Sequence, residues 1–207
     1  MSERPQTPRE AWQSMVYGNR RFVSGDLAHP RQDIDHREKL AERQRPFAAL
    51  FGCADSRLSA EIIFDVGLGD LFVVRNAGQV IAETILGSLE YAVEVLGVPV
   101  ILVLGHDECG AIRATIDSTQ GNLNSQGEFI HDLVERIRPT VEAANRAGKH
   151  EIDEITELHI QDTINEMLTR SALIADAVKA GKLAVVGANY KLTLGEVHPI
   201  VTVGDIN

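Results

Sequence analysis

Three short apolar runs, each closed by an abrupt change of chemistry, set the frame for what this 207-residue chain can become. Residues 46–51 end at Gly52-Cys53, residues 71–74 at Arg75-Asn76, and residues 98–104 at Gly105-His106. A run this short and apolar on both faces fits a strand covered on both sides in a parallel sheet. Helical patterns lie between the runs, over residues 59–64 and, with clearer periodicity, 82–96. Such alternation predicts an α/β fold built on a mostly parallel central sheet flanked by helices. Residues 183–186 and 199–203 complete it, so about four strands plus an edge strand are expected.

The first 43 residues read as an N-terminal helical arm. Thr7-Pro8-Arg9-Glu10 supplies an N-cap, a proline at the first helical position and a glutamate three residues after the cap. Trp12, Met15, Val16 and Phe22 follow at near-helical spacing until Gly25 stops them, and a second helical piece is expected over residues 34–43. The apolar face of the first helix is open to two uses, packing on its own core or crossing to a partner. Downstream, residues 109–118 read as a short helix and 117–127 as a polar loop. Residues 129–147 and 152–180 read as two long helices separated at Gly148. Nothing linker-like divides the chain, so a single domain over residues 1–207 is expected.

Composition narrows the function classes. Twenty Lys+Arg against thirty Asp+Glu leave a net charge of −10, which argues against a nucleic-acid binder or a basic membrane-surface protein. No stretch approaches the ~20 apolar residues of a membrane span. Residues 1–10 have no apolar core of a secretory signal, so a cytoplasmic location is expected. In that reducing compartment the two cysteines, Cys53 and Cys109, are either packing or chemistry rather than a disulfide.

Topology favours chemistry, because open α/β sheets bind ligands beyond the carboxyl ends of their strands. Cys53, Asp55 and Arg57 follow the first run; His106 and Cys109 follow the third. His-x-x-Cys lets an imidazole and a thiolate converge on one ion, and Cys109 falls at a helix start, where the dipole favours thiolate. With Cys53 the set becomes Cys₂His, a combination found in catalytic zinc sites with an open fourth position. Soft donors favour zinc over magnesium or calcium. Asp55 and Arg57 are spaced to form a charge-assisted pair.

On residues alone three readings stay open: a zinc enzyme, a Cys–His hydrolase using one thiol, and a zinc-stabilised binding module in which Asp55 closes the tetrahedron. Gly67-Leu68-Gly69 lacks the third glycine of a dinucleotide fingerprint. Gly52-Cys53-Ala54-Asp55 lacks the flanking glycines of a nucleophile elbow. His29, His36, His131, His150, His159 and His198 are assigned to surface or core.

Cys53-Ala54-Asp55-Ser56-Arg57 together with His106-Asp107-Glu108-Cys109-Gly110 resembles the beta-class carbonic anhydrases, most of all their actinobacterial members. The resemblance runs on through Phe72-Val73-Val74-Arg75-Asn76-Ala77-Gly78 and Gly87-Ser88-Leu89-Glu90-Tyr91-Ala92-Val93. It implies reversible hydration of carbon dioxide to bicarbonate and a proton by a zinc-bound hydroxide. The Zn2+ would sit on Cys53, His106 and Cys109, with Asp55 orienting the hydroxide and Arg57 holding Asp55. A carbon dioxide analogue such as CS₂ is the variant substrate. By the same resemblance Gln44 hydrogen-bonds substrate or bicarbonate, often from a neighbouring subunit. Phe72 and Tyr91 line an apolar cleft, and Gly110 supplies backbone beside the metal. A homodimer or homotetramer is implied.

Part of the family moves the matching aspartate onto zinc at low pH, and Asp55 is expected to become a fourth ligand in such a closed state. Some relatives also carry an inhibitory bicarbonate pocket of Trp, Arg and Tyr. Arg75 and Tyr190 match two of these, but Leu50 stands at the tryptophan's place, so a pocket of that design is not expected here.

Overall fold

The computed structural model describes residues 4–123 and 125–206. Its strands are β1 (Ala48–Cys53), β2 (Leu71–Asn76), β3 (Val100–His106), β4 (Ala184–Lys191) and β5 (Glu196–Val203), arranged in one sheet as β2-β1-β3-β4-β5. β1 pairs in parallel with β2 and β3, β3 pairs in parallel with β4, and β5 is antiparallel to β4. Four parallel strands and an antiparallel edge answer the expected architecture. The chain leaves β1 to one side and returns on the other, so the carboxyl ends of β1 and β3 flank a topological switch point.

Each of the first three strands carries on two residues past its apolar run. Cys53, Asn76 and His106 are therefore the last residues of strands rather than the first of loops. β4 reaches Lys191, five residues beyond its apolar run, because that run is interrupted by Gly187 while the strand continues through Ala188, Asn189 and Tyr190. A Cβ on Gly187 would stand 2.6 Å from Ile160 and 2.8 Å from Ile164 and Val201, so close helix packing, not hydropathy, selects glycine there. β5 carries Pro199 opposite the register shift at Gly187/Ala188, a position an edge strand tolerates.

The helices are α1 (Pro8–Ser24), α2 (Ile34–Leu40), α3 (Ala60–Ile63), α4 (Glu83–Glu94), α5 (Gly110–Thr119), α6 (Glu128–Arg146), α7 (Ile152–Arg170) and α8 (Ala172–Lys179). The single helix expected over 152–180 is two. Ser171 leaves helical geometry (φ −107°, ψ 101°); its hydroxyl donates to Glu90 at 2.6 Å and accepts the Ile174 N–H, capping α8. Serine competes well for such local bonds, which is why it breaks a helix that apolar periodicity would continue.

Adjacent strand residues feed opposite faces, as the pleat demands. Leu50, Leu102, Leu104 and Val186 meet Trp12, Met15, Ile63 and Phe64 on the face of α1 and α3. Ala49, Phe51, Ile101, Val103 and Val185 meet Leu89, Ile160, Ile164, Met167 and Ile174 on the face of α4, α7 and α8. A third cluster, with Val80, Ile112, Ile137, Val141 and Ile155, roofs the carboxyl ends of the strands and contains Cys53 and Cys109.

The arm packs on its own chain: Trp12 and Met15 are buried, and Phe22 is partly buried against the same core. The capping box forms as expected, with Thr7 accepting from the Glu10 N–H while Glu10 reaches back to the Thr7 N–H. α1 docks through Gly18, where a Cβ would lie 1.7 Å from the Phe64 carbonyl oxygen. Asp65 then ties down the segment that follows, accepting from Arg21 and from the Ala28 and His29 N–H groups at 2.9 and 3.0 Å.

Burial pushes the Asp65 carboxyl up, but the Ala28, Arg21 and His29 donors outweigh it and hold the carboxyl below its ordinary range. A depressed folded-state pKa stabilises the fold above the unfolded value of about 3.9, and that contribution disappears as pH falls through the folded value. Asp65→Ala is expected to lower unfolding free energy by about 2–3 kcal/mol at neutral pH in urea titrations. The gap to the parent protein should narrow as pH falls below the unfolded value of about 3.9.

Candidate metal centre

β1 and β3 are neighbours in register, Gly52 opposite Leu104, so their last residues deliver Cys53 and His106 side by side. Beyond His106 the chain reverses through Asp107 and Glu108, the latter at φ 52°, and returns Cys109 to the start of α5. A non-glycine residue in the left-handed region is a strained turn held by its surroundings. Here Asp107 does much of the holding: its N–H donates to Tyr190 O and its carboxylate accepts the Leu192 N–H at 2.9 Å.

Cys53, His106 and Cys109, all buried, bring one ligand atom each within 4.8 Å of one another. The Asp107 carbonyl accepts from His106 Nδ1 at 2.7 Å, which puts the ring proton on Nδ1 and leaves Nε2 as a lone pair. That Nε2 is buried without a hydrogen-bond partner among the described residues. Both cysteines are free.

The two thiols are too close to ionise independently. The hydrogen bond from Cys109 lowers the Cys53 pKa, and the same bond raises that of Cys109. The pair thus loses its first proton easily and its second reluctantly. The thiolate-favouring helix start at Cys109 is outweighed by its neighbour. Burial lowers the His106 pKa, but the Cys53 thiolate, the Asp107 carbonyl and Asp55 raise it on balance. An unpartnered imidazole lone pair and two thiols whose joint ionisation needs a compensating positive charge fit a soft divalent cation.

Asp55 and Arg57 pair as their spacing predicts. Arg57 Nε and its backbone N–H both donate to Asp55 Oδ1 at 2.9 Å, and a terminal guanidinium nitrogen donates to Oδ2 at 2.7 Å. Arg57 holds the Asp55 carboxyl far below its usual range, hence ionised. Asp55 Oδ2 lies 3.9 Å from His106 Nε2, beside the cluster, and in this arrangement both its oxygens are committed to Arg57. Gly110 follows Cys109 directly and is exposed, and a Cβ built on it would meet no atom within 4 Å.

The same three donors stand in a recognisable company. Residues 48–197 match the family model described as carbonic anhydrase. The chain is 49% identical over 189 residues to carbonic anhydrase 2 of Mycobacterium tuberculosis, covering 91% of this chain and 90% of that protein. It is 47% identical over 199 residues to the carbonic anhydrase of Mycolicibacterium smegmatis, covering 96% of each. The solved structure of the beta-carbonic anhydrase CcaA superposes with a TM-score of 0.70 at 26% identity, over 94% of this chain and 99% of that one. This chain belongs to the beta-class carbonic anhydrases.

Three residues that the family resemblance assigns to the substrate pocket lie elsewhere in this chain. Gln44 is exposed in the segment that precedes β1, and Cys53 stands at the far end of that strand. Phe72 and the exposed Tyr91 meet each other, ring centroids 6.1 Å apart. Phe72 pairs with Ala49, four residues short of the Asn76 level, or about 13 Å along β2. Arg75 spends its donors on the Cys53 and Asp55 carbonyls, at 2.8 and 2.6 Å, and Leu50 is buried in the core.

The supports that sequence reading missed are Arg75 as a backbone clamp, the Asp107 carbonyl behind His106, and Gly78. Gly78 N–H donates to Cys53 Sγ at 3.4 Å from φ 70°, and a Cβ there would meet Ala111 at 2.8 Å and Ile137 at 2.9 Å. Nothing in local composition singles out these roles, since each depends on what another element brings near. Gly78→Ala combines a left-handed backbone with overpacking, and is expected to destabilise by about 2–3 kcal/mol in urea denaturation, with or without chelator.

Proposed function

We propose that this chain catalyses the reversible hydration of carbon dioxide to bicarbonate and a proton, using a zinc ion held by Cys53, His106 and Cys109. The observation that carries the reading is the buried convergence of two thiols and an unpartnered imidazole nitrogen at the switch point of the sheet. When bound, zinc supplies Lewis-acid chemistry that lowers the pKa of a water, less strongly under two thiolates than under three neutral imidazoles.

The chain's own residues do the rest. Asp55, ionised and acceptor-only, takes a hydrogen bond from the attacking oxygen and so fixes which lone pair faces carbon dioxide. Arg57, half-exposed, grips both carboxylate oxygens and keeps Asp55 in that pose. The apolar roof formed by Val80, Ile112 and Ile137 favours an uncharged substrate over bulk water.

Gln44, Phe72 and Tyr91 act on the site of a second copy. Their exposure or edge position, away from their own Cys53, supports a homodimer or a larger even assembly in which each site is completed across the interface. Two free thiols fit a reducing, cytoplasmic setting. Among the described residues, no helix is long and apolar enough to cross a membrane.

Stopped-flow hydration assays with metal analysis test the reading. Cys53→Ser should lose stoichiometric zinc; Asp55→Ala should retain it while the rate falls about 100-fold. Because the thiolates weaken water activation, the rate should climb from about pH 6 to about pH 9, and full activity at the lower end contradicts the proposal. Zinc binding without hydration at any pH favours the binding-module alternative. Sedimentation of the active protein as a monomer removes the shared-site part.

A further inference from the structure

We propose that His159 is a positioning residue for the metal centre: from α7 it holds Gly78 so that the Gly78 N–H is donated to the Cys53 sulfur. The inference rests on the reading of Cys53 as a metal ligand and extends it to a residue 106 positions away in sequence.

The connection is continuous. His159 Nε2 donates to Gly78 O at 2.7 Å, and Gly78 N–H donates to Cys53 Sγ at 3.4 Å. A carbonyl only accepts, so the proton of the ring sits on Nε2. Burial lowers the His159 pKa and keeps the ring neutral. Its Nδ1 is buried with no hydrogen-bond partner among the described residues. A polar ring left half-satisfied in the interior is expensive compared with an aliphatic side chain. The interaction it makes in return is with a residue whose N–H is donated to the sulfur.

Gly78 has no freedom to find that geometry unaided. It lies in the left-handed region, closed against Ala111 and Ile137. The turn around it is tied at its ends, Asn76 bonding both the N–H and the carbonyl of Val80 at 3.0 and 2.8 Å. Thr163, one turn along α7 from His159, reaches Gln79 O at 3.5 Å. α7 thus touches the turn twice in succession, and His159 makes the shorter bond. The remaining histidines outside the cluster are exposed or half-buried, so His159 is the one that the interior holds in a single pose.

An N–H bond to a thiolate withdraws charge from sulfur. In a centre where two thiolates already offset the charge of the cation, that withdrawal sets how strongly Cys53 donates to the metal. Without His159, the Gly78 carbonyl loses its anchor and the N–H drifts from the sulfur.

Cobalt(II) substitution reads this directly through the thiolate-to-cobalt charge-transfer band, with affinity from chelator competition and stability from urea midpoints. His159→Leu should move the band to longer wavelength, because the sulfur regains charge, and should bind Co(II) about 10-fold more weakly, because the loss of a pre-set Cys53 outweighs its stronger donation. His159→Gln, whose amide nitrogen falls near the position of Nε2, should restore most of both. Met167→Ala, also buried on α7 but away from Gly78, should lower stability without moving the band. If His159→Leu does not fold, His159→Asn replaces it: the shorter amide stops short of Gly78 and should shift the band where His159→Gln does not. Unchanged band and affinity in folded His159→Leu, equal spectra for the Asn and Gln variants, or an equal shift in Met167→Ala overturns the proposal. A parent protein that takes up no Co(II) overturns the metal-ligand reading itself, and this inference with it.

Discussion

The parallel pairing of β1 with β3 is the constraint on which the rest of the molecule depends. With Gly52 opposite Leu104, the two strands end at nearly the same height, and Cys53 and His106 emerge as neighbours. A slip of one residue would turn each of these side chains to the other face of the sheet. The register is held by the two apolar layers, Leu50, Leu102 and Leu104 packing on one side and Phe51, Ile101 and Val103 on the other. Core packing and site geometry are in that sense one problem, because the residues that bury the sheet also set the level at which its reactive ends stop.

Beyond the strand ends the structure manages charge. Two thiols and an imidazole, buried together under an apolar roof, are unfavourable company without a cation, as the reluctant second ionisation of the cysteine pair makes plain. Asp55 would worsen the crowding if it were free; its bidentate pairing with Arg57 keeps its charge beside the cluster instead of within it. Arg75 and the Asp107 carbonyl then stiffen the backbone of Cys53 and the ring of His106. Separate elements each contribute a short hydrogen bond to a residue of the cluster, the arrangement that pre-organises a site.

Much of this was legible in the chain itself, for identifiable reasons. The three apolar runs are short, two-sided and bounded by reactive residues, so strand identity and the position of Cys53 and His106 relative to strand ends followed from patterning. Asp55 and Arg57 were readable as a pair because both partners lie within one local turn. The helix over 152–180 was misread as continuous because Ser171 leaves its periodicity intact while its hydroxyl turns to Glu90, a residue far off in sequence. The second half of β4 carried no signal, since Gly187, small to admit α7, interrupts the apolar run and Asn189 and Lys191 are polar. His159 looked like any scattered histidine until α7 was folded over the Gly78 turn.

Sequence alone determined the donor set, the local carboxylate–guanidinium pair and the α/β class, because these rest on residue chemistry and on short-range periodicity. Tertiary structure alone decided that the donors share one point in space, that Gln44, Phe72 and Tyr91 stand apart from it, and that Gly78 and His159 lie behind Cys53. The physical reason is reach. A periodic pattern reports which face a side chain presents within its own element, whereas a hydrogen bond between residues eighty positions apart exists only after strand order and helix docking have brought their elements together.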